Sequence, residues 1–391
     1  MRQAILNIIK YHIIPILIAF VVSVGVLICC KNSPDKIIKT KTIEGTQKRF
    51  SGNFSNFDLG NEAEIEFVGN LQNKQMLTLL GSSEFQSFKY SSYFFLPDSL
   101  NIPTKAFGHA HHQSFSMYCE LLAMEKHIKN SKICVFISPG WFETEGTNIE
   151  AFLEFVRPNF LKSIIHNDNI SKDDKLEIGK YVSSKFNDIN EPSKSLQYFK
   201  NIYQTNNIKI VDKIFVNKKY EIENVKYCVN SLKFPAILRE KLDLKKIKNR
   251  LQKTFISSIK SNKLFVSDEY YNQYLLDEEG KYLAGEVGQF DVNSNQEYAD
   301  LMLLIKLLKK NNCNASFVIQ PLSVYHYKNL DNYNELISSI EKVLIKNKFP
   351  FLNMFVTKKQ DYEPGTLNDI MHLGDYGWMN VNEFLVNTYK K

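Results

Sequence analysis

From residue 64 to the C-terminus, short apolar segments that end at glycine or serine alternate with longer segments whose apolar residues recur every three or four positions. Few folds accommodate that alternation. A strand that is apolar along its whole length must be covered on both faces, and the helices between such strands supply the cover. The pattern therefore predicts an α/β domain with a doubly wound, mostly parallel sheet. Residues 71–80 read as its first buried strand, closed by Gly81, with helical spacing resuming at Phe85. Residues 115–129 read as a helix and 133–138 as a strand of β-branched and aromatic residues. Ser294 and Glu297 have the spacing of a capping box ahead of Leu301, Leu304, Ile305 and Leu308. A strand at 316–319, a helix through Leu336, Ile340 and Leu344, a last strand within 349–355 and a final helix carrying Trp378, Val381 and Leu385 complete the series. Between about 148 and 263 the chain turns to charged, mainly helical segments, which read as an insertion into the domain.

Residues 11–30 contain no Asp, Glu, Lys or Arg. That is the length of helix needed to cross a bilayer core, where every backbone polar group must be satisfied internally. The expectation is a short tail at 1–10, an uncleaved transmembrane anchor at 11–30, a polar stalk at 31–63 and the folded domain at 64–391. A cleaved signal peptide is the rival reading, but no Ala-x-Ala-like site follows the run. Lipid attachment at a cysteine is disfavoured because Ile28, a large residue, precedes Cys29. Arg2 and Lys10 precede the run and Lys31, Lys36, Lys39 and Lys41 follow it, a bias that alone would keep the domain in the cytoplasm. Long domains are translocated largely regardless of such a bias, so charge leaves the side open.

The net charge of +7 comes from 49 basic residues scattered among 42 acidic ones, with no focused patch for nucleic acid. Phosphate-cradling and dinucleotide motifs are absent, which disfavours a nucleotide cofactor, and no cofactor is expected. The cysteines outside the charge-free run, Cys119, Cys134, Cys228 and Cys313, show no paired spacing and read as small buried hydrophobes.

Sites in open parallel sheets form at the carboxyl ends of strands. Gly81-Ser82-Ser83 stands at one such end, and Asp369-Ile370-Met371-His372 follows the last strand. A serine hydroxyl attacks well only when a base takes its proton, and an imidazole does so best when a carboxylate fixes its tautomer. Ser83, His372 and Asp369 supply those three groups. The alternative is that both serines merely cap the next helix. His109, His111 and His112 invite a metal reading, yet their spacing matches no zinc signature and they read equally as a polar loop; no metal is expected.

Gly-Ser-Ser after the first strand, with Asp-x-x-His ahead of the last helix, resembles the SGNH (GDSL-like) hydrolase superfamily. The resemblance makes Ser83 the nucleophile, puts Ser82 where that pattern has an Asp, and offers the amides of Ser83 and Gly108 as oxyanion donors, Gly108 being otherwise a turn glycine. Gly140 stands where the superfamily has an Asn donor. Trp141 and Phe142 would line a substrate groove or pack in the core, and Ser82 is grouped with them as a substrate contact. The layout of the whole chain, including Ser138-Pro139-Gly140-Trp141 and the helical insertion, is similar to the DltD family of D-alanyl-lipoteichoic acid biosynthesis. That resemblance implies an extracytoplasmic, membrane-anchored serine acyltransferase or esterase. Its implied partners are lipoteichoic acid, a membrane-bound O-acyltransferase and a D-alanyl carrier protein. The alternative in the same setting is a non-catalytic scaffold that binds teichoic acid or the carrier protein.

Overall fold

The computed structural model describes residues 43–44, 61–85, 89–143, 145–186, 193–215, 227–228, 243–289 and 291–389. The charge-free run at 11–30 and nearly all of the stalk at 31–63 lie outside them. Among the described residues no helix is long and apolar enough to cross a membrane.

Leu77–Leu80, buried at all four positions, forms strand β1. Lys132–Ile137 (β3) and Asn314–Ile319 (β4) are buried at every position but the first. With Thr104–Phe107 (β2) and Phe351–Asn353 (β5) they make one five-stranded sheet in the order β2-β1-β3-β4-β5, parallel throughout. In register, Leu80 lies between Phe107 and Val135, and Ile319 between Ile137 and Asn353. The strand order reverses between β1 and β3, the switch point outside which ligands bind in such sheets. Gly81 leaves β1 at that point.

Helices cover both faces. Asn61–Gln72 (α1) precedes β1, Ser92–Leu100 (α2) joins β1 to β2, and Ser114–Ala123 (α3), buried at all ten positions, joins β2 to β3. The segment between β3 and β4 carries Ile149–Phe155 (α4), Pro158–His166 (α5), Lys172–Lys185 (α6), Lys194–Thr205 (α7), Ile208–Phe215 (α8), Leu244–Ser258 (α9), Asp268–Tyr274 (α10) and Gln296–Lys310 (α11). Side-chain caps are frequent here: Asn148, Ser171, Ser193, Asp243 and Ser267 each accept a backbone N–H three residues on, as does Asn295 ahead of α11. Phe152, Ile178 and Phe199 join the same core as the sheet, so α4–α7 pack against the sheet's core and not as a separate body. Asn334–Asn347 (α12) and Asp375–Tyr389 (α13) finish the chain.

Several local expectations change. Residues 71–72 end α1, and the polar step Asn73-Lys74-Gln75 breaks the apolar run with a turn closed by Met76 N–H on the Asn73 carbonyl (2.9 Å), so β1 begins only at Leu77. The helix after Gly81 starts at Ser92, because residues 82–84 form a turn and Phe85 is packed against Phe136 (centroids 5.1 Å apart), Tyr93 and Trp378. The capping box at Ser294 does not form. Asn295 caps α11, and Glu297, fully buried, turns away to accept the Ser114 N–H at 3.0 Å.

Candidate active site

The turn after β1 is built around a glycine. A Cβ on Gly81 would strike the Glu84 carboxylate and come within 2.8 Å of the Phe85 ring, so a side chain here would have to displace both of those buried side chains. The tight turn sets the partly exposed Ser83 at the switch point.

The second element arrives from the far end of the chain. Between β5 and α13, Leu367 and Leu373 form an antiparallel bridge, and Asn368 N–H donates to the His372 carbonyl at 2.9 Å, closing a small loop. Asp369 organises it from inside: its Oδ1 accepts the backbone N–H groups of Met371 (2.9 Å) and His372 (2.7 Å). Its other oxygen, Oδ2, lies 2.7 Å from His372 Nδ1. The opposite ring nitrogen, Nε2, lies 3.0 Å from Ser83 Oγ. With Nδ1–H donated to a carboxylate, Nε2 is left as the acceptor for the serine proton, the tautomer a general base requires. Burial works against a charged His372, but the Asp369 hydrogen bond and charge, helped by Glu84, outweigh it and raise the imidazole above its ordinary value.

Glu84 is an acidic neighbour of this pair that sequence reading left without a role. It is buried, its Oε1 has no hydrogen-bond partner among the described residues, and burial pushes its carboxyl up to about 7. The backbone N–H groups of Ser82 and Glu84, with the imidazoles of His372 and His112, pull the other way.

A loop from 108 to 113 closes over the turn from β2. A Cβ on Gly108 would strike the Gly81 carbonyl oxygen and lie 2.6 Å from its carbon, so glycine is needed for the two backbones to meet. Ser82 Oγ donates to the His109 carbonyl at 3.0 Å and the residue is 3% exposed, which corrects its reading as a substrate contact: its hydroxyl ties two loops together. The three imidazoles diverge, His109 and His111 being exposed while His112 is buried. Trp141 and Phe142, in the short 3-10 turn Pro139–Glu143 after β3, are 8% and 1% exposed and pack in the core, although Phe142 also reaches the wall of a cavity lined by Glu143, Lys185 and Asp291. A Cβ on Gly140 would meet nothing nearer than Ser138 Oγ at 3.8 Å; there is room for a donor side chain there, and the chain supplies none.

Ser83, His372 and Asp369 are thus brought together, and Gly108 is brought against Gly81, while Ser82, Trp141 and Phe142 are withdrawn from solvent. Among the residues that sequence reading missed, Glu84 had the signal of an acid inside the Gly81–Glu84 turn. Glu120 had none, since its place beside His112 depends on the fold. A family model described as "DltD protein" matches residues 67–390 of the chain. Protein DltD of Staphylococcus aureus (strain NCTC 8325 / PS 47) is 22% identical over 288 residues, 69% of this chain and 69% of that protein.

Proposed function

The chain belongs to the DltD family, and on that premise we propose that it is a membrane-anchored serine acyltransferase or esterase acting in the D-alanylation of lipoteichoic acid. The observation that carries this reading is the continuous hydrogen-bonded line from Asp369 through His372 to Ser83, which joins residues 289 positions apart at the carboxyl edge of the sheet.

The chemistry follows from the three groups. Ser83 Oγ attacks the carbonyl carbon of a D-alanyl ester or thioester while His372 Nε2 takes its proton. The carbonyl oxygen becomes an oxyanion, with the Ser83 and Gly108 amides as its candidate donors. Collapse breaks the bond to the leaving alcohol or thiol, which recovers the proton from His372 and leaves D-alanyl-Ser83. A hydroxyl of the polymer, or water, then gives its proton to His372 and attacks the acyl carbon, and Ser83 regains its hydrogen. Asp369 keeps Nδ1 protonated and stabilises the imidazolium at each step. Similarity to the SGNH hydrolases supports the same roles. The charge-free run at 11–30 would anchor the domain on the outer side of the membrane, beside a membrane-bound O-acyltransferase, with a D-alanyl carrier protein as a further partner.

Cells lacking their own copy provide the test. After wall removal, added protease should cut the wild-type and Ser83→Ala chains alike, and only the wild type should restore D-alanine esters on lipoteichoic acid. Normal ester content with Ser83→Ala would refute the nucleophile and favour a scaffold, for which the missing side-chain donor at Gly140 already argues. Full protection from protease would refute the outward placement.

A further inference from the structure

We infer that His112 and Glu120 form a second imidazole–carboxylate pair, buried behind the first, that positions the nucleophile turn by holding the Gly81 carbonyl. The inference rests on the reading of Ser83 as nucleophile.

His112 is 1% exposed, so both of its ring nitrogens must find partners inside the protein. Nδ1 lies 3.0 Å from the Gly81 carbonyl oxygen, which can only accept, so Nδ1 carries a hydrogen. Nε2 lies 2.9 Å from Glu120 Oε2, within hydrogen-bond distance. Phe155 of α4 stacks on the imidazole, with centroids 4.2 Å apart and planes 14° from parallel, which fixes its tilt. Glu120 belongs to α3, a helix buried along its whole length. The ring is therefore wedged between rigid elements and presents one N–H to one carbonyl. Both nitrogens are committed, which removes His112 from the metal reading of its loop.

The carbonyl it holds is well placed to matter. The last ladder bond runs from the Gly81 N–H to the Phe107 carbonyl of β2 (3.3 Å), and the peptide joining Gly81 to Ser82 is the first whose orientation the strand no longer sets. His112 grips that peptide at its carbonyl, while the Ser82 N–H at its other side faces the Glu84 carboxylate. Rotation of this one peptide would swing Ser83 Oγ off the 3.0 Å contact with His372 Nε2 and re-aim the Ser83 amide. Misplacing a reacting group by about 1 Å costs on the order of 10²-fold in rate. His112 and Glu120 are positioning residues: they touch the turn and not the substrate.

The test uses the purified full chain and a fluorophosphonate probe, followed as the rate at which Ser83 is labelled. The wild type should label at Ser83. His112→Ala should lower the limiting rate roughly tenfold to a hundredfold while the probe concentration giving half that rate is unchanged and the acid limb set by His372 stays in place. His112→Asn keeps a donor at the position of Nδ1 and should recover most of the rate. Glu120→Ala should resemble His112→Ala, and Glu120→Gln should fall between it and the wild type. A labelled wild type with His112→Ala labelling equally fast overturns this inference alone. So does a loss in which His112→Asn fails to recover and the rate falls only as far as the thermal midpoint and half-saturation deteriorate. A wild type that takes no label at Ser83 overturns the nucleophile and this inference together.

Discussion

Glu84 lies one residue from Ser83, the proposed nucleophile, and its protonation bears on stability and on the charge state of His372. Its folded value of about 7 exceeds the ordinary 4.5, with burial as the main cause. The folded state therefore holds this proton more tightly than the unfolded chain. That favourable contribution is complete below about 4.5 and is lost as the pH rises through about 7. At about 1.4 kcal/mol for each pH unit separating the folded from the unfolded value, the loss amounts to a few kcal/mol at most. Glu84→Gln keeps the shape without the titration, so it should melt above the wild type at pH 8 and alongside it at pH 4. Equal melting at both values would show that Glu84 does not titrate in this range. The same substitution removes one of the charges that raise His372. The acid limb of Ser83 labelling should then move to lower pH, whereas an unmoved limb would mean that Asp369 alone sets the imidazole.

Elements differ in how openly the sequence shows them. Strands β1, β3 and β4 are legible because burial on both faces makes nearly every position apolar. Strand β2, Thr-Lys-Ala-Phe, is hidden by Lys105, which is fully buried yet paired with Glu66 of α1. A lysine in the core is tolerated only with such a partner, and nothing local in the sequence shows that α1 supplies it. Glu297 gives the opposite error: its spacing from Ser294 fits a capping box, but the fold brings it an orphan N–H at the start of α3 instead. Between elements, the approach of the 108–113 loop to the turn makes a direct prediction. Gly108→Ala forces a Cβ into the Gly81 backbone and should cost about 1–3 kcal/mol or more in urea unfolding. Gly140→Ala, with 3.8 Å to its nearest neighbour, is the control and should be near neutral. Equal costs at the two glycines would contradict the close approach.

At the scale of the whole molecule, the parallel order β2-β1-β3-β4-β5 carries two sequence-distant segments to one edge of the sheet. The candidate pair Asp369 and His372 was legible because its three-residue spacing is local, and Ser83 because a Gly-Ser-Ser step closes an apolar strand. The pairing of His112 with Glu120 and Gly81 was not legible, since it exists only once α3, α4 and the end of β1 converge. The withdrawal of Trp141 and Phe142 into the core was equally invisible, because an aromatic pair after a strand fits a groove and a core alike. What unites these observations is that Ser83 stands where a base and an orienting acid can act on it. Mass spectrometry of the Ser83 peptide, after brief exposure of the purified chain to a D-alanyl thioester, tests that most directly. The expected result is an alanyl adduct on Ser83 that disappears in His372→Ala, and the contradicting one is either no adduct on the wild type or an adduct that His372→Ala leaves undiminished.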